Sequence, residues 1–230
     1  MERHRKQLAS TLVLVSALIA AVATCLLPPS LQAQTQVQPN GIDPALLAKA
    51  NAGDAKAQFI VGAFYEIYGG DVPPDYHQAA SWYRKATEQG NADAQFRLGM
   101  LYYNGNGVPQ DYAQAASWWR KAAEQGLPDA QNNLGVLYDE GKVVPQDFAQ
   151  AAGWYRKAAE QGDAVAQYDL GLLYERGNGV QQDYAQAASL FRKAAEQGHA
   201  GAQYHIGASY YFGKGVKEPL HKSATRFIFE

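Results

Sequence analysis

Cysteine is almost absent: Cys25 is the single cysteine in 230 residues. It lies within an apolar N-terminal run, so a chain processed beyond it has no thiol at all. Disulfides, thiol nucleophiles and thiolate metal sites are then excluded, whatever the compartment. Histidine is also sparse. Beyond residue 33 there are His77, His199, His205 and His221, with no H-E-x-x-H or other metal spacing. There is no G-x-S-x-G, no Walker loop and no dinucleotide fingerprint. Each G-x-G, as at Gly105-Asn106-Gly107, falls where a helix should end and reads as a cap. A charge excess is missing too. The 20 basic and 22 acidic residues give a net −2, and no basic stripe marks a nucleic-acid surface. Carboxylates are plentiful, but they recur as caps and surface charges rather than as one singular acid/base pair. These absences predict a protein that is not an enzyme, with no catalytic residue, cofactor or metal and no nucleic-acid partner.

The N-terminus is a different kind of sequence. Arg3, Arg5 and Lys6 precede an uncharged run from Leu8 to Leu27. Pro28, Pro29 and Ser30 break it, and Leu31-Gln32-Ala33 suits a signal peptidase. Residues 1–33 therefore read as a signal peptide, which predicts export to the periplasm or beyond. Two alternatives stand beside this. The run is long enough to be kept as an inner-membrane anchor, and Val22-Ala23-Thr24-Cys25 resembles a lipoprotein box with Cys25 lipidated. In either case the membrane is met only through this segment. Removing it takes one acidic and three basic residues and leaves a net charge of −4.

What the chain has in abundance is repetition. Gly90, Gly126, Gly162 and Gly198 are 36 residues apart, as are Asp75, Asp111, Asp147 and Asp183. Such a period means stacked supersecondary units. Each unit reads as two helices. The first starts at Asp54, Asn91, Leu127 (with Pro128 just inside), Asp163 or His199, and stops near Gly105, Gly141, Gly177 or Gly213. The second starts at the recurring Asp with Gln three residues on, as in Asp75/Gln78 and Asp111/Gln114, which predicts a reciprocal capping box. In the first helix Ala94, Leu98, Leu101 and Tyr102 share one face. Gly99 borders it and should permit close approach of the second helix, whose Ala115, Ala116, Trp119, Ala122 and Ala123 are small residues around one large ring. One pair cannot bury its apolar face alone, so the fold class is all-α, a right-handed α-solenoid of antiparallel helix pairs.

The pattern A-x-A-Q-x-x-L-G-x-L-Y-x-x-G-x-G-V-x-x-D, carried in the second unit by Ala94, Gln95, Leu98, Gly99, Tyr102, Gly105, Gly107 and Asp111, resembles the Sel-one-like repeat, a relative of the tetratricopeptide repeat. The departures are local: Val143 replaces a loop glycine and Leu190 a tryptophan. The resemblance implies an adaptor or scaffold that binds proteins, often exported in bacteria. A cysteine-rich branch of that family has been linked to β-lactams, and this chain lacks its paired cysteines. The other readings that stay open are an envelope enzyme of that branch and a structural envelope spacer.

The array divides into residues 34–42 as a leader, 43–53 as an N-terminal capping helix, and 54–230 as about four and a half repeats, the last incomplete. Pro219 stands where the capping Asp is expected, and Phe227-Ile228-Phe229 would lie at the open end, where self-association of an otherwise monomeric chain could occur. The face of the first helices opposite their buried stripe should line the concave side. Its positions vary while the framework does not: Phe59, Phe96, Asn132, Tyr168 and Tyr204 form one lane, Glu66, Tyr103, Asp139, Glu175 and Tyr211 another, with Met100 between. Aromatic anchors beside carboxylates would suit a basic protein or peptide segment. The same rings could instead pack between repeats. The cations Arg84/Lys85, Arg120/Lys121, Arg156/Lys157 and Arg192/Lys193 read as a solvated face, each Arg paired with a Glu four residues on.

Overall fold

The structure, a computed structural model, describes residues 41–67 and 73–216. Residues 1–40, 68–72 and 217–230 lie outside that range, and with them the expected signal peptide, most of the expected leader and Phe227-Ile228-Phe229. Among the described residues there are ten α-helices and no strand: α1 (Pro44–Asn51), α2 (Ala55–Ile67), α3 (Tyr76–Glu88), α4 (Ala92–Asn104), α5 (Tyr112–Glu124), α6 (Pro128–Glu140), α7 (Phe148–Glu160), α8 (Ala164–Arg176), α9 (Tyr184–Glu196) and α10 (Ala200–Phe212). Each helix packs on the one before and the one after it. The chain is therefore an α-solenoid: α2/α3, α4/α5, α6/α7 and α8/α9 are full units, α1 covers the first, and α10 opens a fifth. Ile42, from the expected leader, is buried with Ala50, Ala57, Val61 and Trp82 under α1.

The caps explain the boundaries. Asn91 and Asp163 accept the amides of Ala94 and Ala166 at 2.8 and 2.7 Å, and His199 Nδ1 accepts that of Ala202 at 3.1 Å. First helices end on Gly105, Gly141, Gly177 and Gly213 in the left-handed region. The second helices are capped by only half of the expected box. Asp75, Asp111, Asp147 and Asp183 accept the amides of Gln78, Gln114, Gln150 and Gln186. Their own N–H groups do not receive the Gln side chains. They donate to Tyr65, Tyr102, Tyr138 and Tyr174 carbonyls at 2.9 to 3.0 Å, because the first helix ends beside them and offers a free acceptor.

The mid-helix glycines have a shared reason. A Cβ at Gly62, Gly99, Gly135 or Gly171 would come within 2.5 to 2.7 Å of the ring of Tyr83, Trp119, Tyr155 or Phe191. Those rings are buried, and the helices close onto them.

Glutamine supplies a second, polar spine. Gln58, Gln95, Gln131 and Gln167 are buried, and each Oε1 accepts from the E-Q-G glutamine of its own unit: Gln89, Gln125, Gln161 and Gln197, at 2.8 to 2.9 Å. Three of them donate back to the helix before, Gln58 to Ala50 O, Gln131 to Ala123 O and Gln167 to Ala159 O. Burying an amide is tolerated only when it is bonded, and here its bonds tie consecutive units.

The loops also lock neighbours. Gly107 and Gly179 have φ near +65°, and a Cβ there would fall 2.3 and 2.2 Å from the carbonyl carbons of Tyr76 and Phe148, at the start of the preceding second helix. Val143 stands at this position in the third unit, with no positive φ. Tyr112, the counterpart of Tyr76, is correspondingly exposed (43%).

Candidate functional site

The second-helix surface is occupied by its own contacts. No Arg–Glu ion pair four residues apart forms on it among the described residues. Instead the Nη2 groups of Arg84, Arg120, Arg156 and Arg192 donate to Tyr102, Tyr138, Tyr174 and Tyr210 of the next first helix, at 2.8 to 3.3 Å. A hydroxyl held one unit away outcompetes a flexible, solvated carboxylate. These tyrosines are accordingly half-buried rather than core residues. Lys85, Lys121 and Lys157 lie 3.8 to 4.2 Å from the ring centres of Trp82, Trp118 and Trp154. Leu190 removes this contact in the fourth unit.

The first-helix face is less uniform. Phe59, Phe96 and Tyr168 are half-buried and packed against the clusters of neighbouring helices. Phe59 lies 5.8 Å from the Tyr83 ring, and Tyr168 stacks on His199 at 4.5 Å. Asn132 takes the same position in α6, and its Oδ1 is buried without a hydrogen-bond partner among the described residues. Tyr204 and Tyr211 are open to solvent at 75% and 66%. The aromatic lane is thus partly framework in α2, α4 and α8 and most accessible in α10.

The second lane meets the next first helix, and the chemistry differs at every junction. Between α2 and α4, Glu66 pairs with Arg97 at 3.8 Å and accepts the buried hydroxyl of Tyr83. Between α8 and α10, Glu175 pairs with His205 at 3.4 Å. The two middle junctions are not closed in this way. Between α4 and α6, Met100, Tyr103, Asn104, Asn133, Val136 and Leu137 surround an open pocket of about 210 Å³ floored by Trp119. Asn133 Nδ2 reaches Met100 Sδ at 3.5 Å, and Trp119 Nε1 is held by Phe96 O at 3.2 Å. Between α6 and α8, two acids face one another. Asp139 Oδ2 accepts from Tyr155 Oη at 3.4 Å, and neither Asp139 nor Asp169 has an ion pair among the described residues.

Burial, then Asp139, then Asp163 push the Asp169 carboxyl up to about 7. Burial raises Asp139 as well, against the Tyr155 hydroxyl and the field of Arg176. Burial likewise lifts the Tyr155 hydroxyl far above its ordinary value, keeping it a donor. Asp169 and Asn133 are the members of this face that sequence reasoning missed. They sit in the fourth place of the A-Q-x-x-L stretch, where Arg97 and His205 also stand, and that shared place was the available signal.

Among the described residues no group of three His, Cys, Asp or Glu could hold a metal ion, and no helix is long and apolar enough to cross a membrane. The Sel1 repeat model matches residues 55–91, 92–127, 128–163, 164–199 and 200–221. The chain belongs to the Sel1 repeat family. Sel1 repeat proteins are generally protein-interaction scaffolds, mostly without catalytic activity. The chain is similar to a protective antigen of uropathogenic Escherichia coli strains that displays an SLR fold, with 47% identity, a TM-score of 0.72, and coverage of 75% of this chain and 37% of that one. It is also similar to a Sel1 repeat protein from Oxalobacter formigenes (36% identity, TM-score 0.68, 77% and 70% covered). A third similar structure comes from Klebsiella pneumoniae (29%, TM-score 0.51, 81% and 88% covered). The Sel1 array here spans a little over a third of the Escherichia coli chain. No curated protein sequence matches it.

Proposed function

We propose that this Sel1 repeat protein is an exported scaffold that holds a protein or peptide segment in the concave groove of its first helices. The observation that carries this is the open pocket at Met100, Tyr103 and Val136, on the face where the units differ in sequence while their framework repeats. A scaffold selects its partner at the variable positions and keeps its shape with the constant ones. The second-helix face offers less, since its paired cations other than Lys193 are engaged with Tyr and Trp. Export rests on the positive N-region, the apolar run Leu8–Leu27 and the Leu31-Gln32-Ala33 site.

The test is affinity capture from bacterial envelope extract with the purified protein and with a Met100→Ala/Tyr103→Ala variant whose helicity matches the parent. A protein retained by the parent and lost by the variant is expected. Equal recovery by both would overturn the groove reading.

A further inference from the structure

The groove is closed at its flanks and open in its middle. At the α2/α4 and α8/α10 junctions the second-lane carboxylate is already matched, by the Arg97 guanidinium on Glu66 and by the His205 imidazole on Glu175. At the α4/α6 junction the equivalent residues are Tyr103 and Asn133, too short and too neutral to bridge, and the pocket over Trp119 is left between them. At about 210 Å³ this pocket is smaller than the roughly 300–1,000 Å³ of small-molecule sites. It fits one apolar side chain. One junction along, Asp139 and Asp169 present two carboxyl groups with, among the described residues, a single side-chain hydrogen bond, from Tyr155. The α6 helix carries Asp129, Asp139 and Glu140 and no cation, and α8 offers Arg176, which acts on Asp139 without contact.

We infer that the middle of the groove takes an extended peptide segment that places a leucine-like side chain in the Met100–Tyr103–Val136 pocket and a lysine or arginine three residues away between Asp139 and Asp169. This rests on the groove reading above and names the chemistry of its partner. The spacing follows from geometry. Neighbouring packed helices lie about 8–10 Å apart, and extended chain advances about 3.3 Å per residue, so one junction corresponds to three residues. The charge follows from complementarity. Two acids held together disfavour double ionisation, and an incoming cation relieves that repulsion while gaining a charge-assisted hydrogen bond. The flanking contacts confine this preference to the middle, since an inserted cation there would have to displace Arg97 or His205 from its carboxylate.

The experiment is an amide-resolved NMR titration of the full chain at pH 7.5 with three acetylated hexapeptides on a serine background. One carries Leu and, three residues on, Lys. The second replaces Lys with Glu, and the third replaces Leu with Ser. The Leu/Lys peptide is expected to bind at least about tenfold tighter than either control, with shifts centred on α4, α6 and α8. The lysine advantage is expected to vanish in Asp139→Asn/Asp169→Asn, and the leucine advantage in Met100→Gln, both compared at parental helicity. Equal affinity of the three peptides, shifts confined to other helices, or no shift at millimolar peptide would each overturn the inference. If capture of a partner still depends on Met100 and Tyr103 while these peptides fail, the groove reading stands and only the basic-apolar specificity falls. If the Leu/Lys peptide binds but captured proteins ignore the groove variant, the groove reading itself falls.

Discussion

The ring of Tyr155 lies against the backbone of Gly135, where a Cβ would meet its Cδ1 at 2.6 Å. The ring is buried on all sides and cannot withdraw. Gly135→Ala is therefore expected to destabilise the protein by about 1–3 kcal/mol through overpacking, although alanine is the better helix former. Gly153, on the outer side of α7, has nothing within 4 Å of its Cβ position. Gly153→Ala is expected to stabilise by up to about 1 kcal/mol. Urea midpoints of the two variants should move in opposite directions.

The loop glycines give a second contrast. Gly179 combines φ +66° with backbone of Phe148 at 2.2 Å, so Gly179→Ala is strained in conformation and in space. A loss of at least about 2 kcal/mol is expected. Hydrogen exchange should locate the damage at the start of α7, the helix that this loop covers.

Stability should fall as pH rises from about 4 to about 7. Asp169 binds its proton more tightly folded, near pH 7, than unfolded, near 3.8. Its contribution is full below about pH 4 and is lost as the folded group ionises through pH 7. Asp169→Asn removes that loss. Its stability relative to the parent is expected to grow between pH 5 and 8, exceeding about 1 kcal/mol at the alkaline end. Urea titrations at several pH values check this, and parallel profiles would contradict it.

The glutamine spine should show coupling. Gln131 donates to Ala123 O at 3.1 Å and accepts from Gln161 at 2.9 Å. Gln131→Ala is expected to cost about 1–3 kcal/mol, since it leaves buried polar groups short of partners. Adding Gln161→Ala should cost little more, and a double-mutant cycle with a non-zero interaction energy would demonstrate the link.

Much of this architecture was legible in the sequence because it is local or periodic. The caps at Asn91 and Asp163 and the left-handed Gly105 and Gly141 follow from rules that act within one turn. The closeness of Gly99 to Trp119 followed from a glycine placed mid-helix opposite a large ring. The polar bonds between residues far apart in the chain were not legible. Arg120 reaches Tyr138 over 18 residues and Gln161 reaches Gln131 over 30, separations set by how the pairs stack. The capping box misled for the same reason: a reciprocal Gln is the isolated-helix solution, and here the carbonyls of Tyr102 and its equivalents stand nearer. Within the groove, sequence variation pointed to Met100, Tyr103 and Asp139. It did not reveal that Asp169 comes from the next first helix to face Asp139, and it left Phe59, Phe96 and Tyr168 undecided between binding and packing.

The bonds that hold the units together have one further consequence. Arginine to tyrosine, glutamine to carbonyl and loop glycine to helix start each span to the adjacent unit and no further. A block of 36 residues cut out or duplicated in phase would therefore leave the arginine–tyrosine bond of every remaining joint with its proper mate. Length is then a free variable of this material, adjustable in whole steps like the links of a chain. What such an edit would change is the order of subsites along the groove, and with it the partner that fits.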